Sequence, residues 1–483
     1  MSPPILRHFR INRLYGYKDI QIDFSGVTRI LIAGNGSGKT TIFNALYAIL
    51  SGRFHRLTTL DFESIECVFT GQDEPVRVWK SQISELPIEA FERAAHLASR
   101  IPDIDDEELA AFLQTDYQIG GILEQRSSEP LLRSLYTFMP GDYPAVGLAL
   151  DQIATSLRSA RSDELSMVAA QVKSLMRDAK VLYLPTYRRI EVPLLRNPKK
   201  LPSGRLSPQE QIFAETSSDT RHINFGLADV ERRLNELSEN VERDSNFEYR
   251  NISATILDEA LADQIEGSTT TTGLPDVESL RRFLSRVSQD PLDFVWHLSR
   301  SRPSAEKNER RISAIENLYN TGDILSEGQK FLRYFLTRLG SVIEKTKVTE
   351  TMLQRFVDAC NKYLGESADE KIFTYDPNAT RVKVINSWSG RDIPLAHLSS
   401  GEKQIVSILA KLYLYDNRKF VLIDEPELSL SIEWQKRILP DMIASGSVSQ
   451  LFAITHSPFI FDNELDPFAG PLRTSRWTLE GNA

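Results

Sequence analysis

The 483-residue sequence predicts an α/β fold: a parallel sheet with an antiparallel side sheet, and a large helical insertion that includes a short coiled coil. Three observations predict it. Val27–Ala33, mostly β-branched and apolar, runs into a glycine-rich turn and then an apolar helical stretch, Ile42–Leu50. Near the other end, the apolar run Phe420–Ile423 is closed by two adjacent carboxylates, Asp424 and Glu425. Between these ends the apolar spacing is mostly helical. The core is therefore assigned to residues 1–83 and 371–483. Residues 84–370 form the insertion, interrupted by a core strand near 181–186.

A formal net charge of −9 and a pI near 5.5 exclude a uniformly basic nucleic-acid coat, though not a local basic groove. Cys67 and Cys360 stand far apart in sequence and fit no ligand spacing, which excludes a disulfide framework and suits a reducing cytoplasm. The start, Met1–Arg10, lacks the features of a secretory leader. The most apolar window, Val406–Tyr415, is short and contains Lys411, so no membrane span and a cytoplasmic location are expected.

The N-terminal turn reads Gly34-Asn35-Gly36-Ser37-Gly38-Lys39-Thr40-Thr41. Strand, glycine loop and a helix opened by Lys-Thr is the context of a P-loop. Glycines let backbone N–H groups curl around phosphate oxygens, and the helix start adds partial positive charge. Asn35 to Thr41 are thus candidate ATP-binding residues. Lys39 is expected at the β- and γ-phosphates and the Thr40 hydroxyl on Mg²⁺. The first glycine of the usual pattern is Ala33 here, a change a tight turn tolerates. A carboxylate at the tip of a buried parallel strand points into the crevice where phosphates sit. Asp424 is accordingly the second metal candidate, and Glu425 the candidate general base.

Leu398–Gln404 directly precedes Ile405, Ile408, Leu409 and Leu412, whose spacing starts a helix at about Gly401. Ser399 and the N–H groups after it form either a second anion site or an ordinary serine N-cap. Leu451–Thr455 reads as a buried strand delivering His456 to the same sheet edge, one helix (about 432–439) after the acidic strand. A lone histidine there is either a structural residue or a catalytic one.

Together these residues resemble the ABC-type ATPases. Ala33–Thr41 is similar to their Walker A loop, Leu398–Gln404 to their signature and Phe420–Glu425 to Walker B. Ser429-Leu430 sits at the D-loop position, and His456 is similar to their switch histidine. Ser431 departs from the aspartate or histidine usual nearby. The resemblance implies two cassettes pairing head to tail, with ATP between Lys39 of one chain and Ser399, Ser400 and Gly401 of the other. With one set of motifs per chain, it implies at least a homodimer. A second signature-like stretch, Leu325–Gln329, interrupts the helical run Ile324–Leu339 and is treated as coincidence.

Ile20–Phe24, Phe62–Phe69 and Val76–Lys80 alternate like antiparallel strands, the last two around the turn 71–74. Residues 84–178 read as helices, with an acidic face over 103–108, and Val181–Pro185 as a returning strand. Arg188 and Arg189 follow it, facing either phosphate or a partner, or forming ion pairs at a domain seam. Arg196, Lys199, Lys200 and Arg205 make either a flexible basic linker or a nucleic-acid contact. Leu227, Val230, Leu234, Leu237 and Val241 make a coiled-coil seam that Asp244 and Glu248 end, and Gly267–Gly273 is a low-complexity loop. Strands Ile372–Tyr375 and Val382–Trp388 precede the signature, and Arg476–Leu479 reads as a last edge strand. Gln82 is a candidate for the Q-loop glutamine.

Among ABC-type ATPases without transport domains, the chain is most similar to the antiphage-defence group, such as the AriA ATPases of PARIS systems, then the PtuA ATPases of Septu. The similarity rests on one cassette, a mid-sized helical insertion and the Leu184–Glu191 segment. It implies a homodimer or a higher homo-oligomer, such as a hexamer built as a trimer of dimers. It also implies a separate Toprim-type nuclease effector such as AriB, and a phage trigger protein. The stretch after His456 is too short for a fused nuclease, so the effector is expected in trans. The alternative is a RecF- or SMC-like repair ATPase that clamps DNA; direct DNA binding stays open.

Overall fold

The computed structural model describes residues 3–34, 36–84, 86–98, 106–120, 129, 131–133, 135, 143–159, 163–185, 227–261, 273–287, 304–365 and 370–476. Asn35, Arg188, Arg189, Arg196, Lys199, Lys200, Arg205 and most of the 267–273 loop lie outside the described residues. The chain packs as two compact units, Met1–Asn224 with Asn417–Ala483, and Phe225–Asp416.

The first unit opens with β1 (Leu6–Leu14), β2 (Lys18–Asp23), β3 (Thr28–Ile32), α1 (Lys39–Leu50), β4 (Ser64–Phe69) and β5 (Val76–Trp79). It continues through α2 (Ile88–Ala98), α3 (Asp106–Thr115), α4 (Tyr143–Ser159), α5 (Asp163–Leu175) and β6 (Lys180–Leu184). The second unit holds α6 (Leu227–Leu261), α7 (Val277–Val287), α8 (Ser304–Thr321), α9 (Lys330–Leu364), β7 (Lys371–Asp376), β8 (Arg381–Asn386), β9 (Asp392–Ile393) and α10 (Ser400–Tyr413). The first unit closes with β10 (Lys419–Asp424), α11 (Ile432–Ala444), β11 (Val448–Thr455), β12 (Ala469–Pro471) and β13 (Arg473–Arg476).

Both expected sheets of the first unit are present. The parallel sheet runs β12-β3-β11-β10-β6 and the antiparallel one β13-β2-β1-β4-β5. Every residue of β10 is buried, as a central parallel strand covered on both faces requires. In β5 burial alternates, because only one face of the side sheet meets the core. The returning strand β6 pairs with β10, and β10 with β11 in parallel, which is the expected βαβ unit around α11. The last strand among the described residues is β13 (Arg473–Arg476), on the edge beside β2; of the expected edge strand 476–479, all but Arg476 lies outside the described residues. Phe452 of β11 joins the layers, with ring centroids 5.4 Å from Phe24 and 5.1 Å from Phe43 of α1.

Packing divides the chain differently from the expected boundaries. Leu165 and Val172 of α5 pack into the two-sheet core, while α2, α3 and α4 bury a separate cluster including Leu97, Leu113 and Leu150, so 84–178 groups with the first unit. Residues 371–416 group with the long helices instead. Asn361 of α9 brackets Phe373, accepting from its N–H at 2.7 Å and donating to its carbonyl at 2.8 Å. Lys371 pairs with Glu402 of α10 at 3.0 Å, both almost fully buried.

Val230, Leu234, Leu237 and Val241 are buried as the seam predicts. The helix itself continues past the residues expected to end the seam: α6 runs on to Leu261, with Ser245 and Ile252 buried and Glu248 paired to Lys345 of α9 at 3.1 Å. The expected helix Ile324–Leu339 begins only at Lys330, after two short 3-10 turns. The cause is Arg333, which is buried and donates to the carbonyls of Ile324 and Ser326 at 2.8 and 3.1 Å, folding 324–329 back over the helix start. Among the described residues no helix is long and apolar enough to cross a membrane.

Candidate functional site

The parallel strands all end at one edge of their sheet, and the registers Leu31↔Ile454↔Asp424 set the three chemistry-bearing loops side by side. The first loop follows β3. Gly36 and Gly38 sit at φ 77° and 94°, a region that strains any side chain with a Cβ, so glycine is needed at both. Among the described residues nothing stands within 4 Å of a Cβ built on Gly34, Gly36 or Gly38, which leaves open space beside each of these glycines. Gly38 caps α1 with no side-chain hydrogen bond, and the first turn of α1 has no acidic residue. The orphan N–H groups and partial positive charge of that helix end are left for an anion. Ser37 Oγ is buried with no hydrogen-bond partner in the described structure.

Lys39, the first residue of α1, has only 10% of its side chain exposed. Its ammonium contacts Glu425 Oε1 and His456 Nε2, and that histidine nitrogen lies 3.6 Å from Glu425 Oε1. Glu425 and His456 lie 386 and 417 positions from Lys39 in sequence. Glu425 is the first residue after β10 and turns the chain at φ 50°, while Asp424 stays 5% exposed at the strand tip. Thr40 and Thr41 follow Lys39 on α1, half-buried, and Tyr15 OH lies 3.5 Å from Thr41 Oγ1.

Two supports were not legible in the sequence. Lys18 donates to the Ser37 carbonyl at 3.0 Å, fastening the glycine loop to β2. Burial holds its ammonium below the usual lysine value, and Arg476 adds to the fall. Glu427 accepts from Thr455 Oγ1 and from the His456 N–H, each at 2.8 Å. A third acid so soon after Asp424 and Glu425 was a signal, but its partner follows a different strand.

The signature residues belong to the second unit. Ser399 is the N-cap of α10: its Oγ accepts from Glu402 N at 3.3 Å and its N–H donates to Glu402 Oε2 at 2.7 Å, a reciprocal capping box. Ser399 and Ser400 are exposed and Gly401 is buried. Gln82 accepts from Trp79 N at 2.8 Å and donates to Glu164 at 2.9 Å, which occupies it in holding its own turn. Ser431 fills the place of an aspartate cap, accepting from Trp434 N at 3.3 Å at the start of α11.

Thr40 and Asp424 are hard oxygen donors of the kind Mg²⁺ takes while keeping water and phosphate as its other ligands. Among the described residues no group of three or more His, Cys, Asp or Glu could hold a metal, so protein donors alone would not cage one. The donor set fits a nucleotide-borne Mg²⁺.

Residues 8–84 match the sequence family described as "AAA domain". Residues 387–462 match the one described as "AAA domain, putative AbiEii toxin, Type IV TA system". No curated protein matches the chain. Among solved structures, an Smc head domain with an extended coiled coil, bound to the C-terminal domain of ScpA and derived from Pyrococcus furiosus, is similar at 14% identity. The match covers 98% of this chain and 96% of that one, with a TM-score of 0.35. An SmcHead bound to the C-winged helix domain of ScpA is similar at 18% identity over 30% of this chain, with a TM-score of 0.20; the present chain spans 47% of its length. The chain is thus a mixed α/β fold with a parallel sheet and an antiparallel side sheet, and its two ends are similar in sequence to AAA-type ATPase domains.

Proposed function

We propose that the protein binds and hydrolyses ATP at the parallel-sheet edge, and that it serves as the sensor and scaffold of an antiphage defence complex. The observation that carries the ATPase reading is the meeting of Lys39, Glu425 and His456 at the glycine loop. The N–H groups of the loop and of the first turn of α1 bind phosphate oxygens. Lys39 exchanges its carboxylate partner for the β- and γ-phosphates, leaving Glu425 to orient a water and accept its proton. His456 then donates to the terminal phosphate. Thr40 and Asp424 would hold Mg²⁺, which when bound neutralises phosphate charge.

On this reading each ATP is shared head to tail, with Ser399, Ser400 and Gly401 of a second copy completing the site. A homodimer, or a larger assembly of dimers, holds a Toprim-type nuclease and releases it when a phage protein is sensed. Two things support the cellular role: the resemblance to defence ATPases carried by the single cassette, the mid-sized helical insertion and the Leu184–Glu191 segment, and the toxin–antitoxin wording of the family matched by residues 387–462.

Two measurements test the proposal. Steady-state ATP turnover by the wild type must exceed that of Lys39→Ala. The native mass of the protein co-expressed with its neighbouring genes, with and without ATP, reads the assembly. A large homo-oligomer holding a nuclease-like protein supports the defence role. A monomer that dimerises only with ATP and duplex DNA, through binding that falls steeply with salt, replaces that role with a DNA-clamping one.

A further inference from the structure

We infer that Glu427 is a positioning residue for His456: it clamps the histidine's own peptide and binds the loop after the acidic strand to the loop that carries the histidine. The inference rests on the ATPase reading above.

The two loops follow neighbouring strands, β10 and β11; the backbone pairing carries one residue past Asp424, where the Glu425 N–H donates to the Ile454 carbonyl at 2.9 Å, and does not reach Glu427 or His456. Glu427 bridges that gap. One carboxylate oxygen accepts from the His456 N–H and the other from the hydroxyl of Thr455, each at 2.8 Å. Both bonds are charge-assisted and so among the stronger kind. Thr455 is fully buried and its Oγ1 also accepts from Ser457 N at 2.9 Å, so the hydroxyl that Glu427 orients sits inside the histidine turn.

A second tie lies on the far side of His456. Ser457 Oγ donates to Gln435 Oε1 at 2.6 Å, and Gln435 Nε2 donates to the Leu430 carbonyl at 3.0 Å. Residues 427–430 and 455–457 are therefore joined at both ends. Glu425 and Ser429, at φ 50° and 63°, hold left-handed conformations within the first loop. Such backbone persists only where surrounding bonds over-determine it, and the Glu427 clamp is one of them. His456 Nε2 stands 3.6 Å from Glu425 Oε1. A small rotation of the His456 peptide swings the ring away from the reacting phosphate, and the clamp is what opposes that rotation.

The test compares ATP turnover, titration with a fluorescent ATP analogue and thermal unfolding for wild type, Glu427→Ala, Glu427→Gln, His456→Ala and the Glu427→Ala/His456→Ala double variant. Glu427→Ala is expected to lower kcat about tenfold or more, within the range of a misplaced acid–base group, with analogue affinity within about twofold. Glu427→Gln keeps an acceptor for the His456 N–H and a donor for the Thr455 oxygen, and should restore most of the rate. If Glu427 acts through His456, the double variant is no slower than His456→Ala, because interacting residues are non-additive. A double variant slower by the full Glu427→Ala factor, or Glu427→Ala turnover equal to wild type, overturns the inference. If Glu427→Ala does not fold, Glu427→Asp carries the test: one methylene shorter, it cannot hold both donors, and a wild-type rate from it overturns the inference too. Wild-type turnover no higher than Lys39→Ala would instead overturn the ATPase reading, and this inference with it.

Discussion

The Gln450 carboxamide satisfies both backbone groups of Leu6: Oε1 accepts from the Leu6 N–H at 2.8 Å and Nε2 donates to the Leu6 carbonyl at 2.9 Å. Both residues are fully buried. The bond pair stitches the side sheet to β11, the strand that ends just before His456. Gln450→Leu keeps the volume but strands an N–H and a carbonyl away from water, at about 1–3 kcal/mol each. The urea midpoint should therefore fall by the equivalent of about 2–6 kcal/mol. A change under about 0.5 kcal/mol would show that water reaches Leu6.

Lys39 and Glu425 are in contact, yet their substitutions should separate cleanly. Lys39→Ala removes the phosphate cation and should weaken nucleotide binding at least about tenfold. Glu425→Gln keeps the shape and loses the base, so ATP should bind while turnover falls about 10²–10⁴-fold, the usual range for general acid–base catalysis. Parallel titrations and single-turnover assays read both. Normal hydrolysis by Glu425→Gln would falsify the general-base assignment.

Gly340 lies within α9, where alanine ordinarily gains about 1 kcal/mol over glycine. Here the sign reverses. A Cβ at Gly340 would stand 2.2 Å from the Gly273 carbonyl oxygen and 3.3 Å from Pro275 Cδ. Gly340→Ala must push the 273–275 segment off the helix, and overpacking of this kind costs about 1–3 kcal/mol. Thermal unfolding should show a lowered Tm; a raised one would mean the segment moves without cost.

The Lys371–Glu402 pair has side chains 10% and 4% exposed. Lys371→Met leaves a buried carboxylate without its cation, a loss of about 3–5 kcal/mol. Lys371→Met/Glu402→Leu should recover part of that loss, held below full recovery because Glu402 also closes the Ser399 capping box. A double-mutant cycle of urea midpoints reads the coupling. Additive effects would show the pair to be solvated.

Local chemistry was legible from the chain. Gly36 and Gly38 with Lys-Thr behind them specify a loop that opens a helix, because φ and helix starts depend on near neighbours. Ser399, three residues before Glu402, specifies a capped helix for the same reason, and the apolar run 420–423 specifies a fully buried strand. The acidic residue and the histidine at strand ends pointed to one sheet edge through topology rules alone.

The sequence by itself determined which stretches are strands and which are helices, and where the phosphate-type loop begins, since those follow from periodicity and turn chemistry over a few residues. Only the tertiary structure decided which distant groups meet. Lys18 on Ser37, Glu427 on the Thr455–His456 turn and Gln450 on Leu6 join residues whose separations carry no local signal. The misplaced helix start at Ile324 and the helix that runs past Asp244 have the same origin. Arg333 draws two carbonyls back over its helix, and Lys345 takes up Glu248 from another one. A polar side chain that breaks an apolar period can be accommodated by a partner from elsewhere in the fold: the buried Arg333 has its N–H groups hydrogen-bonded, and Glu248 stays partly solvated beside Lys345.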